Sequence, residues 1–279
     1  MSRSDYAERL AVCSWSLQPA HPAELAARLK QTGLRRVQLA LDPLRQAPAT
    51  WSSAAEVLKS HQIDIVSGMF GCVGEDYSTL ESIRLTGGIA PDATWEENWK
   101  NIQETAAIAQ SLHLKLVTFH AGFLPHDQTD HHFATMVRRL QEVADIFERA
   151  GIVVGLETGQ ETAPALAQLL QALKRPNMGV NFDPANMILY GKGDPIEALH
   201  VLAKWIRQVH MKDAVPAKTR GTWGEEVPAG SGKVDWKKFF STLSELNFRG
   251  PIVIEREAGK NRVEDIRTAK AVAERTFAQ

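Results

Sequence analysis

Three acidic residues and one histidine each end a short apolar run in the second half of the chain. Proline cannot continue a hydrogen-bonded strand, so Pro184 leaves the preceding carboxylate at a strand end. Three carboxylates and an imidazole are hard ligands, which favour Mn²⁺, Mg²⁺ or Co²⁺ over metals that prefer thiolates. The pattern predicts a site for one divalent metal ion, with Mn²⁺ preferred and Mg²⁺, Co²⁺ or Zn²⁺ as alternatives. The four predicted ligands are Glu157, Asp183, His210 and Glu255.

The alternation of side chains within these four runs agrees with a shared site. Counting by twos, small or polar residues fall on the side of the predicted ligand, and apolar residues fall on the other side. Neighbouring strands of a barrel lie about 5 Å apart, so four consecutive strand ends can converge over one point. The alternative is a group of unrelated acids and a histidine at a solvated rim. The predicted outward-facing residues are Leu156, Phe182, Val209 and Ile254.

Eight apolar runs, each followed by a stretch with helical periodicity, organise the whole chain. Such alternation requires a parallel sheet, and 279 residues suit a (β/α)8 TIM barrel, which typically has about 250. An open doubly wound sheet usually carries a glycine-rich turn after its first strand, and residues 14–19 contain no glycine. We therefore expect one barrel domain over residues 1–279. The predicted strands are 11–15, 36–41, 63–67, 114–120, 152–157, 178–183, 206–210 and 252–255.

Polar residues that can accept hydrogen bonds from a first helical turn mark several helix starts. Asp194 precedes a proline at the first helical position, and Thr94 begins a T-W-E-E sequence with the capping-box pattern. The other predicted caps are Asp130, Thr162 and Asp235.

The overall composition excludes several classes of protein. A hydrophobic content of 44% is enough for one large core, and a formal net charge of −1 argues against a non-specific nucleic-acid-binding protein. Two cysteines, Cys13 and Cys72, predict neither a disulfide framework nor a zinc cluster. The first residues lack an apolar signal region and no run approaches membrane-spanning length. We expect a cytoplasmic protein without membrane or nucleic-acid partners; a homo-oligomer remains open.

Two long connections follow strand ends on the face where barrel enzymes place their active sites. Residues 70–94 follow the third run and residues 214–234 follow the seventh. They are interpreted as lids or specificity walls, with plain surface insertions as the alternative. Aromatic residues that could line a sugar pocket, or simply pack in the core, are Trp15, Phe70, Trp95, Trp99 and Trp223.

Five motifs in this order resemble the xylose-isomerase-like barrels, which include D-tagatose 3-epimerase, hydroxypyruvate isomerase and the inosose-processing enzymes. The motifs are G-L-E-T-G, N-F-D-P-A-N-M, V-H-M-K-D, G-S-G-K-V-D-W and I-V-I-E-R-E-A-G. The resemblance spans nearly the whole chain. It implies that the four predicted ligands hold one divalent metal ion and that Glu157 and Glu255 also serve as the acid/base pair.

Three further residues are predicted to bind substrate. The resemblance implies a place near the substrate for His120, although a satisfied histidine at the barrel rim is the alternative. Lys212 follows His210 by two residues and so faces the same side of the strand. It can reach a substrate oxygen, or it can form a salt bridge with a neighbouring acid. Asn186 stands where many ketose epimerases carry a histidine; it can hydrogen-bond a substrate oxygen but cannot transfer a proton near neutral pH.

Two other groups invite a functional interpretation. His126, His131 and His132 lie in a polar sequence that favours a solvated loop entering a helix over a metal cluster. The amides of Gly230, Ser231 and Gly232 can bind a phosphate, or they can form the turn before a helix.

The leading hypothesis is a metal-dependent isomerase or epimerase of a small sugar, sugar phosphate or keto-polyol, acting through a metal-stabilised enediolate. A metal-dependent dehydratase on the same scaffold is the first alternative. A DNA repair enzyme similar to apurinic-site endonucleases is less favoured, because those proteins bind three zinc ions with a longer set of histidines. A non-catalytic sugar-binding barrel requires that metal binding be absent.

Overall fold

The eight long apolar runs form a closed parallel barrel, as predicted. The computed structural model describes residues 8–124, 129–219 and 221–277. The barrel strands are β1 (Leu10–Cys13), β2 (Arg36–Ala40), β3 (Asp64–Met69), β4 (Leu116–Phe119), β5 (Val153–Glu157), β6 (Met178–Phe182), β7 (Ile206–Met211) and β10 (Ile252–Ile254). They pair in the order β1-β10-β7-β6-β5-β4-β3-β2. Two short strands outside the barrel, β8 (Asp213–Val215) and β9 (Glu225–Val227), form an antiparallel hairpin.

Helices follow the barrel strands and cover the outside of the sheet. They are α1 (Pro22–Thr32), α2 (Asp42–Gln46), α3 (Pro48–Trp51), α4 (Ala54–Ser60), α5 (Leu80–Thr86), α6 (Asp92–Ser111), α7 (His131–Arg149), α8 (Ala163–Leu173), α9 (Pro184–Leu189), α10 (Pro195–Leu202), α11 (Trp236–Glu245) and α12 (Arg262–Phe277). No helix in the described part of the chain is long and apolar enough to cross a bilayer.

The main hydrophobic core lies between the sheet and the helices. Leu156, Phe182, Val209 and Ile254 all belong to this core and are at most 1% exposed, so the predicted outward parity is correct. The barrel interior is different, because its apolar cluster is small and contains Ala11, Cys13 and Val253. Polar side chains occupy the rest of the interior near the site, and burial of a polar group is tolerable only when it is hydrogen-bonded.

Four of the five predicted helix caps are confirmed. The side chains of Asp130, Thr162, Asp194 and Asp235 each accept a backbone hydrogen bond from the first turn of the following helix. The Thr94 prediction is wrong, because α6 already begins at Asp92. The buried guanidinium of Arg139 on α7 binds the Asp92 carboxylate and the carbonyl oxygens of Ile89 and Ala90, and this tertiary contact fixes the earlier start.

The connection at 214–234 is more ordered than a plain loop. It contains the β8–β9 hairpin, and the buried carboxylate of Asp213 ties its two ends together. Glu226 on β9 also accepts hydrogen bonds from the amides of Glu257 and Ala258, at 3.0 Å each, beyond β10. Asp213 accepts from the amides of Ala214 (2.9 Å), Gly230 (2.8 Å), Gly232 (3.1 Å) and Val234 (3.1 Å) and from the Trp236 indole (3.0 Å).

Candidate metal and substrate site

The structure brings the four predicted ligands together at the carboxyl-terminal mouth of the barrel. Strands β5, β6, β7 and β10 are consecutive neighbours, and each delivers one of the four residues. One ligand atom from each residue lies within 4.8 Å of the others. All four side chains are buried, so their charges are removed from water and must be compensated inside the protein.

The imidazole of His210 contacts Gln38, three strands away around the barrel, and Asn181 on the neighbouring strand β6, whose Nδ2 lies 3.0 Å from His210 Nε2. Its Nε2 lies 2.8 Å from Oε1 of Gln38 on β2, and Gln38 Nε2 donates to Thr118 Oγ1 at 2.8 Å. Donation from Nε2–H to Gln38 leaves the Nδ1 lone pair free. Nδ1 has no hydrogen-bond partner and lies 3.4 Å from both Glu157 Oε1 and Glu255 Oε2. This tautomer presents a metal-binding nitrogen to the carboxylates.

Asp183 divides its two oxygens between the backbone and the site. Oδ1 accepts hydrogen bonds from the amides of Ala185 (2.8 Å) and Asn186 (2.9 Å) and thereby caps α9. Oδ2 is buried without a hydrogen bond and lies 3.7 Å from His210 Nδ1 and 4.0 Å from Lys212 Nζ. A native protein rarely leaves two buried polar atoms unsatisfied side by side. The two orphaned atoms, with a carboxylate on either side, fit a divalent cation.

The electrostatics of the site favour positive charge at its centre. Burial alone would lower the pKa of His210, but the carboxylates of Glu157 and Glu255 outweigh burial and hold that pKa well above its usual value. Burial raises the pKa of Asp183. The carboxylates therefore attract a positive charge to the position that Nδ1 faces, which is the requirement for binding a cation.

Glu157 and Glu255 have different partners. Glu157 accepts from two neutral amides, Asn186 Nδ2 at 3.0 Å and Asn181 Nδ2 at 3.1 Å. Glu255 accepts from the Trp15 indole and from the Lys212 ammonium, at 2.9 Å each.

The charged partner has the larger effect on proton affinity. Although burial raises the pKa of both glutamates, Lys212 and His210 hold the pKa of Glu255 well below its usual value. His120 and His210 also lower the pKa of Glu157. Glu255 is thus held as a carboxylate by an ion pair that Glu157 does not have.

A hydrogen-bonded layer of amides and hydroxyls supports the site from inside the barrel. Ser67 donates to Gln208 at 2.6 Å, and Gln208 donates to Asn181 at 3.1 Å, which in turn donates to Glu157. Together with Gln38 and Thr118, these residues are fully buried. The alternation of the strands placed Asn181 and Gln208 on the ligand side, but nothing in the sequence identified Gln38 or Ser67.

The three predicted substrate residues lie beside the ligands. His120 Nε2 is 3.5 Å from Glu157 Oε1, at the edge of the site. Asn186 bridges Glu157 and Lys212, because its Nδ2 donates to Glu157 and its Oδ1 accepts from Lys212 at 3.2 Å. Lys212 also pairs with Glu257. The salt-bridge interpretation of Lys212 is therefore present in the structure, and contact with substrate stays a prediction for all three residues.

A cavity of about 460 Å³ opens beside the site, and this volume is in the usual range for a small-molecule site. Of the four predicted ligands only Glu255 belongs to its described wall, together with His120, Asn186 and Lys212. Trp15, Phe70 and Trp223 line it, whereas Trp95 and Trp99 stack on each other at 5.6 Å outside the lining. Its wall also contains Glu75, Tyr77 and Tyr190, which the sequence did not single out.

The remaining two groups have structural partners. The amides of Gly230 and Gly232 donate to Asp213, which favours the turn over a phosphate site. His131 and His132 lie exposed in the first turn of α7, beside the Asp130 cap, and His126 lies outside the described residues.

Comparison with known proteins places the chain in a family. A model described as a xylose isomerase-like TIM barrel matches residues 17–276. The chain belongs to the xylose isomerase-like TIM barrel family, and the predicted resemblance is confirmed. Its structure is similar to a xylose isomerase domain protein from Planctomyces limnophilus, with 31% identity, a TM-score of 0.80 and 88% of each chain covered.

Two curated relatives are similar over shorter stretches. The chain is 28% identical over 179 residues to an inosose dehydratase from Geobacillus kaustophilus (strain HTA426), covering 60% of this chain and 46% of the relative. A stretch of 58 residues is 43% identical to a putative L-ribulose-5-phosphate 3-epimerase from Haemophilus influenzae, covering 20% of each chain. The matched stretches thus span less than half the length of these curated relatives.

Proposed function

We propose that this protein is a divalent-metal-dependent isomerase or epimerase of a small polyhydroxylated carbonyl compound. Glu157, Asp183, His210 and Glu255 hold the ion in this proposal, and Mn²⁺ is the preferred metal. The observation that carries it is the pair of buried atoms without a hydrogen bond, His210 Nδ1 and Asp183 Oδ2, set between two glutamates, of which Glu255 also lines the cavity.

A divalent ion held there would act as a Lewis acid that stabilises negative charge on substrate oxygens. The two glutamates would then handle protons. Glu157 lacks the Lys212 ion pair that holds the pKa of Glu255 well below its usual value, so it is the proposed base that removes the proton next to the carbonyl group. His120, 3.5 Å from Glu157, can orient that carboxylate or exchange a proton with it.

Glu255 and Lys212 form the opposite side of the site. The ammonium of Lys212 lies 2.9 Å from Glu255 Oε2 and is in reach of Asn186, so it can donate a hydrogen bond to an oxygen that gains charge. Glu157 and Glu255 come from the two outer strands of the four. Placement at the two ends of the row lets each address a different face of a planar intermediate, which epimerisation requires.

A dehydratase is the second candidate, and the sequence similarity to inosose dehydratase favours it. Removal of water needs one base and one acid rather than two interchangeable bases. The different hydrogen-bond partners of Glu157 and Glu255 suit one residue acting as the base and the other as the acid.

Solvent-proton exchange distinguishes the candidates without knowledge of the product. Metal-supplemented protein is incubated in D₂O with a panel of ketoses and inososes, and deuterium incorporation next to the carbonyl is followed by NMR. Glu157→Gln and Glu255→Gln each keep an oxygen for the metal but lose the proton acceptor. Glu197→Gln, an exposed acid in the first turn of α10, is the matched control and keeps wild-type exchange.

The pattern of loss identifies the reaction. For an epimerase, both variants lose conversion by about 100-fold or more, while one still exchanges the substrate proton from a single face. For a 1,2-isomerase or dehydratase, Glu157→Gln loses all exchange and Glu255→Gln retains substantial turnover. Near wild-type activity in both metal-loaded variants would refute the assignment of either glutamate as base.

A further inference from the structure

Carboxylates dominate the charged groups in the wall of the 460 Å³ cavity. Only two basic residues, His120 and Lys212, belong to its described lining. Lys212 is already paired with Glu255 at 2.9 Å and with Glu257, so its charge is shared by two acids. A substrate entering the cavity therefore meets an excess of negative charge. The acidic lining residues are Asp42, Glu75, Glu226, Glu255 and Glu257.

Four of these five acids have basic partners, and Glu75 is the exception. Asp42 pairs with Arg45 at 3.0 Å, and Glu226 pairs with Arg256 at 2.7 Å. Glu255 and Glu257 share Lys212. Within the described part of the chain, no lysine, arginine or histidine nitrogen lies within 4.0 Å of the Glu75 carboxylate. Burial raises the pKa of Glu75, and the charge of His120 partly opposes this rise. No ion pair holds the Glu75 carboxylate, so it is available to interact with whatever occupies the cavity.

The connection after β3 holds Glu75 in place by one oxygen. Oε1 accepts a hydrogen bond from the amide of Gly88 at 2.8 Å. Oε2 accepts a longer and therefore weaker hydrogen bond from the Tyr77 hydroxyl, at 3.4 Å. Gly88 has φ of +62° and packs so closely on Ala121 that a Cβ there would lie 2.1 Å from its carbonyl oxygen. The backbone that anchors Glu75 is therefore fixed, and Oε2 remains open to a stronger donor.

We propose that Glu75 is a specificity-determining residue that makes the cavity select an uncharged polyhydroxylated substrate over its phosphate ester. The inference rests on the proposed function and narrows its substrate class. A sugar or cyclitol hydroxyl can donate a hydrogen bond to Oε2, whereas a phosphate dianion has no proton to donate and is repelled by the carboxylate. Phosphate sites need free arginines, lysines or backbone amides, and the glycine amides nearby are occupied by Asp213.

A smaller cavity of about 260 Å³ shares the lining residue Tyr190 with the main cavity. Among the described residues around the site, it offers a competing position for an anion. Lys192 and Arg84 belong to its wall. Arg84 is paired with Glu81 at 2.6 Å. Lys192 lies over the Phe123 ring at 5.5 Å and, among the described residues, has no carboxylate within 4.0 Å. A substrate with a long anionic arm could therefore place its phosphate beside Lys192, and the test must distinguish this arrangement.

Calorimetric binding to the metal-loaded protein tests the proposal with compounds that cannot react. The probes are xylitol, myo-inositol and the monophosphate of each. Wild-type protein is expected to bind the neutral polyol at least about tenfold more tightly than its ester. Glu75→Gln removes the charge and should reduce that ratio about tenfold. Glu75→Asp keeps the charge but withdraws the oxygen, so it should weaken polyol binding while the ester stays disfavoured.

Asp76→Asn is the matched control, because this exposed acid follows Glu75 on the same connection and lines neither cavity, and its ratio should equal that of the wild type. Three results would overturn the proposal. They are tighter binding of the esters to wild-type protein, an unchanged ratio in a folded Glu75→Gln variant, and no binding of any neutral polyol. Loss of an ester preference on Lys192→Gln would assign the anion to the smaller cavity instead. Proton exchange with phosphorylated ketoses alone would overturn this inference but leave the proposed function intact.

Discussion

Asp213→Asn should destabilise the protein more than any other conservative acid-to-amide change near the site. The Asp213 carboxylate is 1% exposed and accepts two hydrogen bonds at Oδ1 and three at Oδ2. An asparagine replaces one acceptor oxygen with an NH₂ group, so at least two donors face another donor whichever way the amide is turned. Each buried unsatisfied group costs about 1–3 kcal/mol, so the expected loss is about 4 kcal/mol.

Urea unfolding followed by circular dichroism measures this loss as a change in midpoint at constant slope. Asp235→Asn is the matched control, because Asp235 accepts one first-turn bond, from the Lys238 amide at 3.0 Å. Asparagine caps helices as well as aspartate, so the control should stay within about 0.5 kcal/mol of the wild type. A loss below about 1 kcal/mol in Asp213→Asn would show that this carboxylate does not hold the 214–234 connection together.

Three further changes have distinct expected outcomes. Burial raises the pKa of Glu161 to about 7, so the folded state prefers the neutral acid and loses stability as pH rises from about 4.5 to 7. The free energy of unfolding of Glu161→Gln, measured with urea, should therefore exceed that of the wild type by up to about 3 kcal/mol more at pH 8 than at pH 4. An equal difference at both pH values would refute the raised pKa of Glu161. Gln38→Leu removes the acceptor of the His210 Nε2–H and should weaken metal affinity, measured by competition with a chelating dye, about 10–100-fold. Unchanged affinity would show that the contact with Asn181 is enough to orient the ring. If the connections act as lids, hydrogen exchange should slow on polyol binding, more in 70–94 than in 214–234, because the latter is already tied by buried hydrogen bonds; unchanged exchange in both would leave them as plain insertions.

The barrel and the convergence of four side chains were predictable because both follow from local patterns. The alternation of apolar and polar residues in a strand indicates which side chains face inward, and the proline after Asp183 indicates where that strand ends. Consecutive strands in the sequence are neighbours in a parallel barrel, so four consecutive strand ends meet without any knowledge of tertiary packing.

The supporting residues were not predictable in this way. Gln38 lies in β2, three strands from β7 around the closed barrel, and its role depends on closure of the sheet. Glu75 lies in a connection whose path depends on the close contact of Gly88 with Ala121. The wrong cap at Thr94 has the same cause, because Arg139 on another helix fixes where α6 begins. Long-range contacts override local propensity at each of these positions.

Metal stoichiometry in Asp183→Asn tests the central claim most directly. The amides of Ala185 and Asn186 require an oxygen at the Oδ1 position, so the asparagine must place its NH₂ group where Oδ2 faces His210. The variant should keep its helix cap and its fold but lose a ligand and gain a donor that opposes a cation.

After chelation and dialysis against Mn²⁺, elemental analysis should find one ion per wild-type chain and none in Asp183→Asn or Asp183→Ala. Circular dichroism should show that the asparagine variant remains folded. Full occupancy in that variant, or no bound ion in the wild type with Mn²⁺, Mg²⁺, Co²⁺ or Zn²⁺, would contradict the assignment of these four residues as a metal site.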